Sequence, residues 1–477
     1  VSAALTPPPT ALGSGAAHPF VPDIRARPWA QLLGPGPTLA RWRRSLRALL
    51  SADGGARALD EAARVRAARW AVAYESVPFW QARFQAASCA RARLHEVCET
   101  LPPLERADVQ AARNTLTPHV SPTRLPWAFR DVQGGVTSGS TGEPLRFRMS
   151  APAYLSFFPV VDLALAWYGV SRPRPGAGYV LLDALGHSPE YQTWLPLFHG
   201  LRFSKITVGR TKWRERLQAA APAVVTGDPD ALAALLSVDV RPRLVLSSAF
   251  ALSPRLRAQL VSHLRCPVVE YYSAAELGPL ALRCPADGGW HVLTPYVHLS
   301  TSAPGASGTA AVGDEAVDHG SSPGRLLVDD LRNDALWLLR YAVGDRGEVR
   351  PAVAPCACGL FTPRLLRFEG RAAVQFGTGS DAPPWDPARL APSLGRLGVD
   401  EYQVLELAPG RVRLVYRGPV ELDDRTCLDL GARLRAIAGR AVRLELERRP
   451  GPWRRPGEKP RPFVPLAPAT GGIGGRA

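Results

Sequence analysis

Residues 268–276 read Val268-Val269-Glu270-Tyr271-Tyr272-Ser273-Ala274-Ala275-Glu276. A short β-branched run gives way to two tyrosines and three small residues and ends on a carboxylate. The reading is a strand over Val268–Glu270 that opens into a loop. Upstream, Tyr179-Val180-Leu181-Leu182, Ala223-Val224-Val225 and Leu244-Val245-Leu246 repeat such runs, with helical stretches between them. That alternation over residues 151–282 predicts an α/β fold, with βα units and a largely parallel sheet. A carboxylate just past the C-terminal end of a parallel strand lies where open α/β sheets bind ligands. Glu276 is therefore suited to hold a magnesium ion bridged to phosphates. A solvated loop glutamate is the plain alternative.

Downstream the pattern changes. Residues 290–350 carry short strands broken by Gly, Pro and Asp, as in an antiparallel or barrel-like β section. After Gly370 a smaller α+β unit is expected, with strands near Tyr402–Leu407, Val412–Tyr416 and Val442–Glu447 and a helix near Cys427–Ala438. Toward the other end, Ala40–Tyr74 has apolar residues at three- and four-residue spacing between arginines, a helical pattern. Residues 1–40, with Pro7-Pro8-Pro9, read as an unstructured arm, and 467–477 as a Gly-rich flexible tail. The expected division is an arm (1–40), a large domain (41–370), a small C-terminal domain (371–466) and a tail (467–477).

Composition excludes several classes. The chain has 477 residues, 46% hydrophobic and 21% charged, so it can build a large core and is not a disordered protein. Its longest apolar stretch, Leu155–Val170, is short and holds Asp162, so no membrane span is expected. No basic segment followed by an apolar core marks a signal peptide. The net charge of +16 is spread along the chain without an aromatic-interleaved basic stripe, which argues against nucleic acid as a partner. Only three cations are lysine, at 205, 212 and 459. A lysine kept where nearly every other cation is arginine suggests a site built for a compact point charge. Seven cysteines, an odd number thinly spread, fit a reducing cytoplasmic setting.

Three further segments carry chemistry. Thr137-Ser138-Gly139-Ser140-Thr141-Gly142-Glu143-Pro144 packs hydroxyls and glycines into a loop that can approach an anion closely, or is a plain surface loop. It lacks the Gly-Lys-Ser/Thr of a Walker A loop. Arg340-Tyr341-Ala342-Val343-Gly344-Asp345 ends on an Asp that can accept from ribose hydroxyls, or is a turn aspartate. Gly457-Glu458-Lys459-Pro460 puts a lysine in a glycine-proline loop, where it can reach a phosphate or carboxylate, or belongs to a basic tail.

The order and spacing of these segments resemble the adenylate-forming (acyl/aryl-CoA synthetase) superfamily, and within it the phenylacetate–CoA ligase-like branch. The likeness runs from about Tyr74 to Leu466. It includes Tyr74-Glu75-Ser76-Val77-Pro78-Phe79-Trp80 and Leu101-Pro102-Pro103-Leu104-Glu105-Arg106-Ala107-Asp108. Gly324-Arg325-Leu326-Leu327-Val328, leading into Arg340–Asp345, resembles the ribose-binding stretch, and Gly370-Arg371 the interdomain hinge. The resemblance implies that Thr137, Ser138, Gly139, Ser140, Thr141 and Gly142 hold the ATP phosphates. It implies Tyr272 beside the adenine, Glu276 on Mg2+, Asp345 on the ribose and Arg371 on ribose or phosphate. Lys459 would bridge the substrate carboxylate and the α-phosphate. The implied activity is ATP-dependent activation of a carboxylic acid, by family default an aromatic one, to an acyl-adenylate with release of pyrophosphate. Transfer to a thiol, most simply CoA, follows. The alternatives are transfer to a carrier protein or an amine, or a degenerate nucleotide-binding member without turnover. A homodimer is common in the branch.

Cys284 and His291, with Cys356 and Cys358, offer a Cys₃His set suited to structural zinc, or are unrelated reduced cysteines. Some members of the branch hold zinc at this pattern. The chain departs from the family at Glu143, often Lys; at Ala275, usually Thr; at Phe250, commonly Glu; and at Ala372-Ala373-Val374, where an Asp follows the hinge arginine. The last change bears on domain rotation, and so on the second half-reaction more than the first. The acid pocket is expected between about Leu181 and Val208 and around Ala249–Ser273, with His187, Trp194, Phe198 and His199 among its candidates.

Overall fold

A computed structural model describes residues 36–112, 114–118, 133–136, 145–184, 190–195, 200–302, 323–371, scattered positions over 376–399, 401–418, 421–449, 463–464 and 466. The chain enters through α1 (Gly36–Ala48), α2 (Ala52–Ser76), α3 (Pro78–Ala86), α4 (Leu94–Thr100) and α5 (Arg106–Ala112). The helical pattern expected over 40–74 is broken once, where the Ser51 side chain caps α2 by accepting from the Gly54 N–H at 3.2 Å. Residues 36–40, assigned to the arm from composition, are instead the first turn of α1. Leu39, Trp42 and Leu46 form a buried stripe at helical spacing, and that stripe outweighs the local Gly and Pro content. The rest of the expected arm and the expected tail lie outside the described residues.

A hairpin, β1 (Gln133–Val136) and β2 (Arg146–Met149), leads into α6 (Ala151–Leu155) and α7 (Phe157–Trp167). The apolar stretch around Asp162 becomes α7, a core helix. Its buried Asp162 is neutralised by an ion pair with Arg43 of α1. No helix among the described residues is long and apolar enough to cross a membrane.

The predicted βα units follow: β3 (Gly178–Asp183), β4 (Tyr191–Leu195), β5 (Leu201–Thr207), α8 (Trp213–Ala220), β6 (Pro222–Gly227), α9 (Pro229–Ala233), β7 (Leu244–Ser247), α10 (Pro254–Leu264) and β8 (Val268–Ala274). Strands β5, β3, β6, β7 and β8 are parallel neighbours in that order. The chain passes from β3 to β5 on one side and then crosses to β6 on the other. The strand order therefore reverses between β3 and β6, the kind of switch point where doubly wound sheets leave a ligand crevice. The sheet is buried on both faces. Tyr179, Val224, Leu244 and Val269 join one core, and Val180, Val225, Val245 and Val268 join the other. This is why the runs read as continuously apolar.

The antiparallel section begins on β8 itself and continues through β9 (Gly278–Arg283), β10 (Trp290–Val292), β11 (Val297–Ser302), β12 (Gly324–Asp330), β13 (Tyr341–Arg350) and β14 (Arg364–Arg371). The result is one hydrogen-bonded sheet of order β11-β12-β13-β14-β10-β9-β8-β7-β6-β3-β5-β4. A second sheet, ordered β17-β16-β15-β18, holds β15 (Glu401–Ala408), β16 (Arg411–Arg417), β17 (Arg443–Arg448) and β18 (Phe463–Val464). It packs on α11 (Asp424–Ala438) around its own core of Val404, Val412, Leu414, Leu430 and Leu434. The fold is mixed α/β with a large sheet and a smaller one, as the sequence predicts.

Candidate active site

The strand predicted over Val268–Glu270 extends to Ala274, so the polar segment is still β8 until a tight turn reverses it into β9. Gly278, at φ +73°, makes that reversal without the strain a Cβ would add. Glu276 sits in this turn and is buried. Its Oε1 accepts from the Tyr341 hydroxyl at 2.7 Å. The turn itself is gripped from below by Arg332, whose guanidinium donates to the Leu277 carbonyl and, at 2.9 Å, to the Pro279 carbonyl. Arg332 is fully buried and is neutralised by Asp330 at 3.0 Å. The carboxylate and the backbone that carries it are thus held by separate groups.

Tyr341 opens β13, and its surroundings explain two motifs that had no chemistry of their own. Leu104, in the 101–108 segment, exchanges backbone hydrogen bonds of 3.0 Å with the Arg340 carbonyl and the Ala342 N–H. Trp80, in the 74–80 segment, is fully buried and donates to the Trp337 carbonyl at 3.1 Å. Both motifs brace the chain just before and at Tyr341.

Tyr272, four residues before Glu276, is buried against Phe368 of β14, with ring centroids 4.7 Å apart, and faces Trp290 of β10 at 6.4 Å. Its hydroxyl donates to Asp345 Oδ2 at 2.5 Å. Asp345 follows Gly344, which takes φ +86°, and pairs across the ladder with Arg371 on β14. The structure therefore joins Tyr272 to Asp345 and Glu276 to Tyr341, and sets Asp345 beside the backbone of Arg371. Thr137–Gly142, Glu143, the Arg371 side chain, residues 372–374 and Lys459 lie outside what is described, as do His187, Phe198 and His199. Trp194 is half exposed on β4, with its indole donating to the Gly200 carbonyl at 3.0 Å.

Sequence reasoning missed Tyr341, Arg332 and Phe368. Tyr341 stood inside a quoted motif, but nothing local says that its hydroxyl meets a residue 65 positions away. Arg332 carried no signal, because one arginine among many is not distinctive. Tyr341→Phe is expected to destabilise the fold by roughly 1.5–3 kcal/mol, since it removes a hydrogen bond to a buried carboxylate. Urea melts of wild type and variant check this, and coincident curves would mean that the contact does not hold the turn.

Cys284, His291, Cys356 and Cys358 converge, with their ligand atoms all within 4.8 Å of one another. Cys284 follows β9, His291 lies in β10, and the other two lie on the connection from β13 to β14. Cys284 Sγ is 3.7 Å from Cys356 Sγ, and Cys358 Sγ is 3.0 Å from His291 Nε2. Burial, with the Arg364 charge adding to it, pushes the His291 pKa down to about 3, so the imidazole is neutral. Burial alone would raise the Cys356 thiol. Hydrogen bonds from Cys358 and Cys284 and the Arg364 guanidinium, 3.1 Å from its sulfur, bring it below the usual thiol range. Burial pushes Cys358 up to about 12.

No protein-family model matches the chain, and no curated protein does. Solved structures do. One is 2-hydroxyisobutyryl-CoA ligase in the postadenylation state, in complex with R3-HIB-AMP. It is 16% identical, with 88% of this chain and 91% of that one covered, at a TM-score of 0.59. Another is an open conformation of that ligase in complex with 2-HIB-AMP and CoA. It is 16% identical, with 87% and 92% covered, at 0.56. This likeness establishes the fold, which the chain shares with that ligase.

Proposed function

We propose that this chain, which has the adenylate-forming fold, uses ATP to activate a carboxylic acid as an acyl-adenylate, releases pyrophosphate and passes the acyl group to the thiol of CoA. The observation that carries the reading is the pair of contacts that join the end of β8 and its turn to β13, Tyr272 to Asp345 and a buried Glu276 to Tyr341. The similar ligase was solved with an acyl-adenylate and CoA, which supports the same reaction class here.

Each group then has a task. Two anions, the acid and the α-phosphate, must meet, so positive charge and donors have to be in place before they do. Glu276, kept in position by Tyr341 and by the Arg332 grip on its turn, would hold Mg2+. When bound, the metal neutralises charge on the phosphates. Tyr272 flanks the adenine, and Asp345 accepts from the ribose hydroxyls. Thr137–Gly142 donate to the phosphates, Arg371 contacts ribose or phosphate, and Lys459 bridges the carboxylate and the α-phosphate. Residues 371–466 form the small domain that brings Lys459 in and swings it away for the thiol.

The Cys₃His cluster fits structural zinc. Zn–S bonds of about 2.3 Å in a tetrahedron put sulfurs about 3.8 Å apart, and the Cys284–Cys356 separation is 3.7 Å. Four protein ligands leave no open position for catalysis.

The test is carboxylate-dependent ATP–pyrophosphate exchange over a panel of aryl and fatty acids, with Lys459→Ala in parallel. Wild-type exchange that the variant loses by about 10³-fold, while still binding ATP, is the expected result. Folded, ATP-binding wild type that exchanges with no acid would overturn the reading.

A further inference from the structure

The strand ends beside the β3–β6 switch point hold a charge pair that the reading above does not use. Lys205, two residues from the end of β5, is 6% exposed, and its Nζ lies 2.9 Å from Asp183 Oδ2 at the end of β3. Leu181 pairs with Lys205 and Asp183 with Thr207, so the two charged residues share one sheet face. Withdrawing an ammonium from water is costly even when a partner recovers part of the loss, and an apolar side chain would fill the space more cheaply. A lysine kept here, in a chain with only two others, points to recognition more than to stability.

An aromatic row leads from the pair toward the nucleotide side. Tyr191 of β4 lies directly across from Lys205. Its ring is 5.5 Å from Phe203, which is 5.2 Å from Tyr179. Phe157 stacks on Tyr179 at 6.2 Å and meets Tyr271 at 5.1 Å. Tyr271 is the chain neighbour of Tyr272. Tyr191, Phe157 and Tyr271 are each partly exposed, whereas Tyr179 and Phe203 are buried. Burial raises the Tyr191 and Tyr271 hydroxyls, so both stay protonated.

The charge around the pair narrows the ligand. Asp228, just past β6, accepts from the Ala184 and Ala231 N–H groups, both at 2.9 Å, and so ties the ends of β3 and β6 together. Burial first, and then the adjacent Asp183 among other charges, raise its pKa. Glu190 accepts from the Thr207 N–H and pairs with Arg216, both at 2.7 Å, so the carboxylates Asp183, Asp228 and Glu190 outnumber the cations Lys205 and Arg216, which disfavours an anionic substituent. A hydroxyl suits both partners, since it accepts from the ammonium and donates to Asp183. Flat aromatic walls suit an aryl frame.

We propose that Lys205 and Asp183 read a hydroxyl on the substrate, which is a hydroxylated aryl carboxylic acid lying along the aromatic row with its carboxylate toward β8. This rests on the adenylating reading above.

The experiment compares ATP–pyrophosphate exchange for benzoic and phenylacetic acids, their positional hydroxy isomers and the matching methoxy ethers, in wild type, Lys205→Met and Asp183→Asn. Wild type should prefer at least one hydroxy isomer over its unsubstituted parent and its ether by about 100-fold or more in kcat/KM, because the hydroxyl adds one hydrogen bond to each charged partner, each worth about tenfold or more. Each variant should shrink that ratio at least tenfold. Asp183→Asn keeps the shape of the pair, and so keeps the test open if Lys205→Met does not fold. No preference in wild type, or an unchanged ratio in a folded variant, would overturn the proposal. Exchange with fatty acids alone overturns it while the adenylating reading stands. No exchange with any acid removes both.

Discussion

Glu276→Gln is expected to lose about 10²–10³-fold in ATP–pyrophosphate exchange while folding as wild type does. The reasoning separates charge from structure. Glu276 is buried, accepts from Tyr341 at 2.7 Å and rides on a turn that Arg332 holds by its carbonyls. An amide oxygen can accept the same hydrogen bond, so the packing and the Arg332 grip survive. What disappears is the negative charge that would hold Mg2+, and a metal ion stabilising phosphoryl charge is worth several kcal/mol, where each 1.36 kcal/mol is tenfold in rate. The check is exchange activity beside thermal melting. A variant with wild-type activity would remove Glu276 from the reaction. A variant that melts much earlier would mean that the carboxylate is structural.

Loss of the Cys₃His set should be the largest effect on stability. Protein purified without chelator is expected to carry about one zinc per chain. Stripping the metal, or Cys358→Ala, should lower the melting temperature by on the order of 10 °C, since losing a structural metal belongs to the few mechanisms with large effects. The loss should spread. The connection bearing Cys356 and Cys358 also supplies the Phe361 N–H to the Leu49 carbonyl at 2.8 Å and the Cys358 carbonyl to the Trp167 indole at 3.0 Å. The cluster therefore pins the β9–β10 hairpin and residues 355–363 to the end of α1 and to α7. Hydrogen exchange should speed up over those segments first. Metal analysis showing far less than one equivalent, with an unchanged melt after chelation, would remove the zinc reading.

The parallel half of the sheet was legible because strands buried on both faces must be apolar without interruption, and Gly178–Asp183, Pro222–Gly227 and Leu244–Ser247 are such runs. β8 was read short at Glu270. Its last residues, Tyr271-Tyr272-Ser273-Ala274, lack the β-branched run that marks its start, and they are held extended by pairing with β9. The start of α1 was lost to the arm because a Gly/Pro count is local, whereas docking on α7 is not.

For the site the division is sharper. Residue types and short spacings in the chain state which chemistries are present: a carboxylate after a strand, an Asp after a glycine, and three thiols with an imidazole. They do so because they fix what a group can donate, accept or ligate. Only the tertiary structure decided which of them meet. Tyr341 and Glu276 are 65 residues apart, Tyr272 and Asp345 are 73, and Cys284 and Cys356 are 72. Those partnerships come from strand order and register, set by burying two faces of one sheet, and no local pattern encodes them. The Lys205–Asp183 pair shows both levels. Its rarity was visible in composition, but its partner, its burial and its place beside the switch point came from β3 and β5 lying side by side.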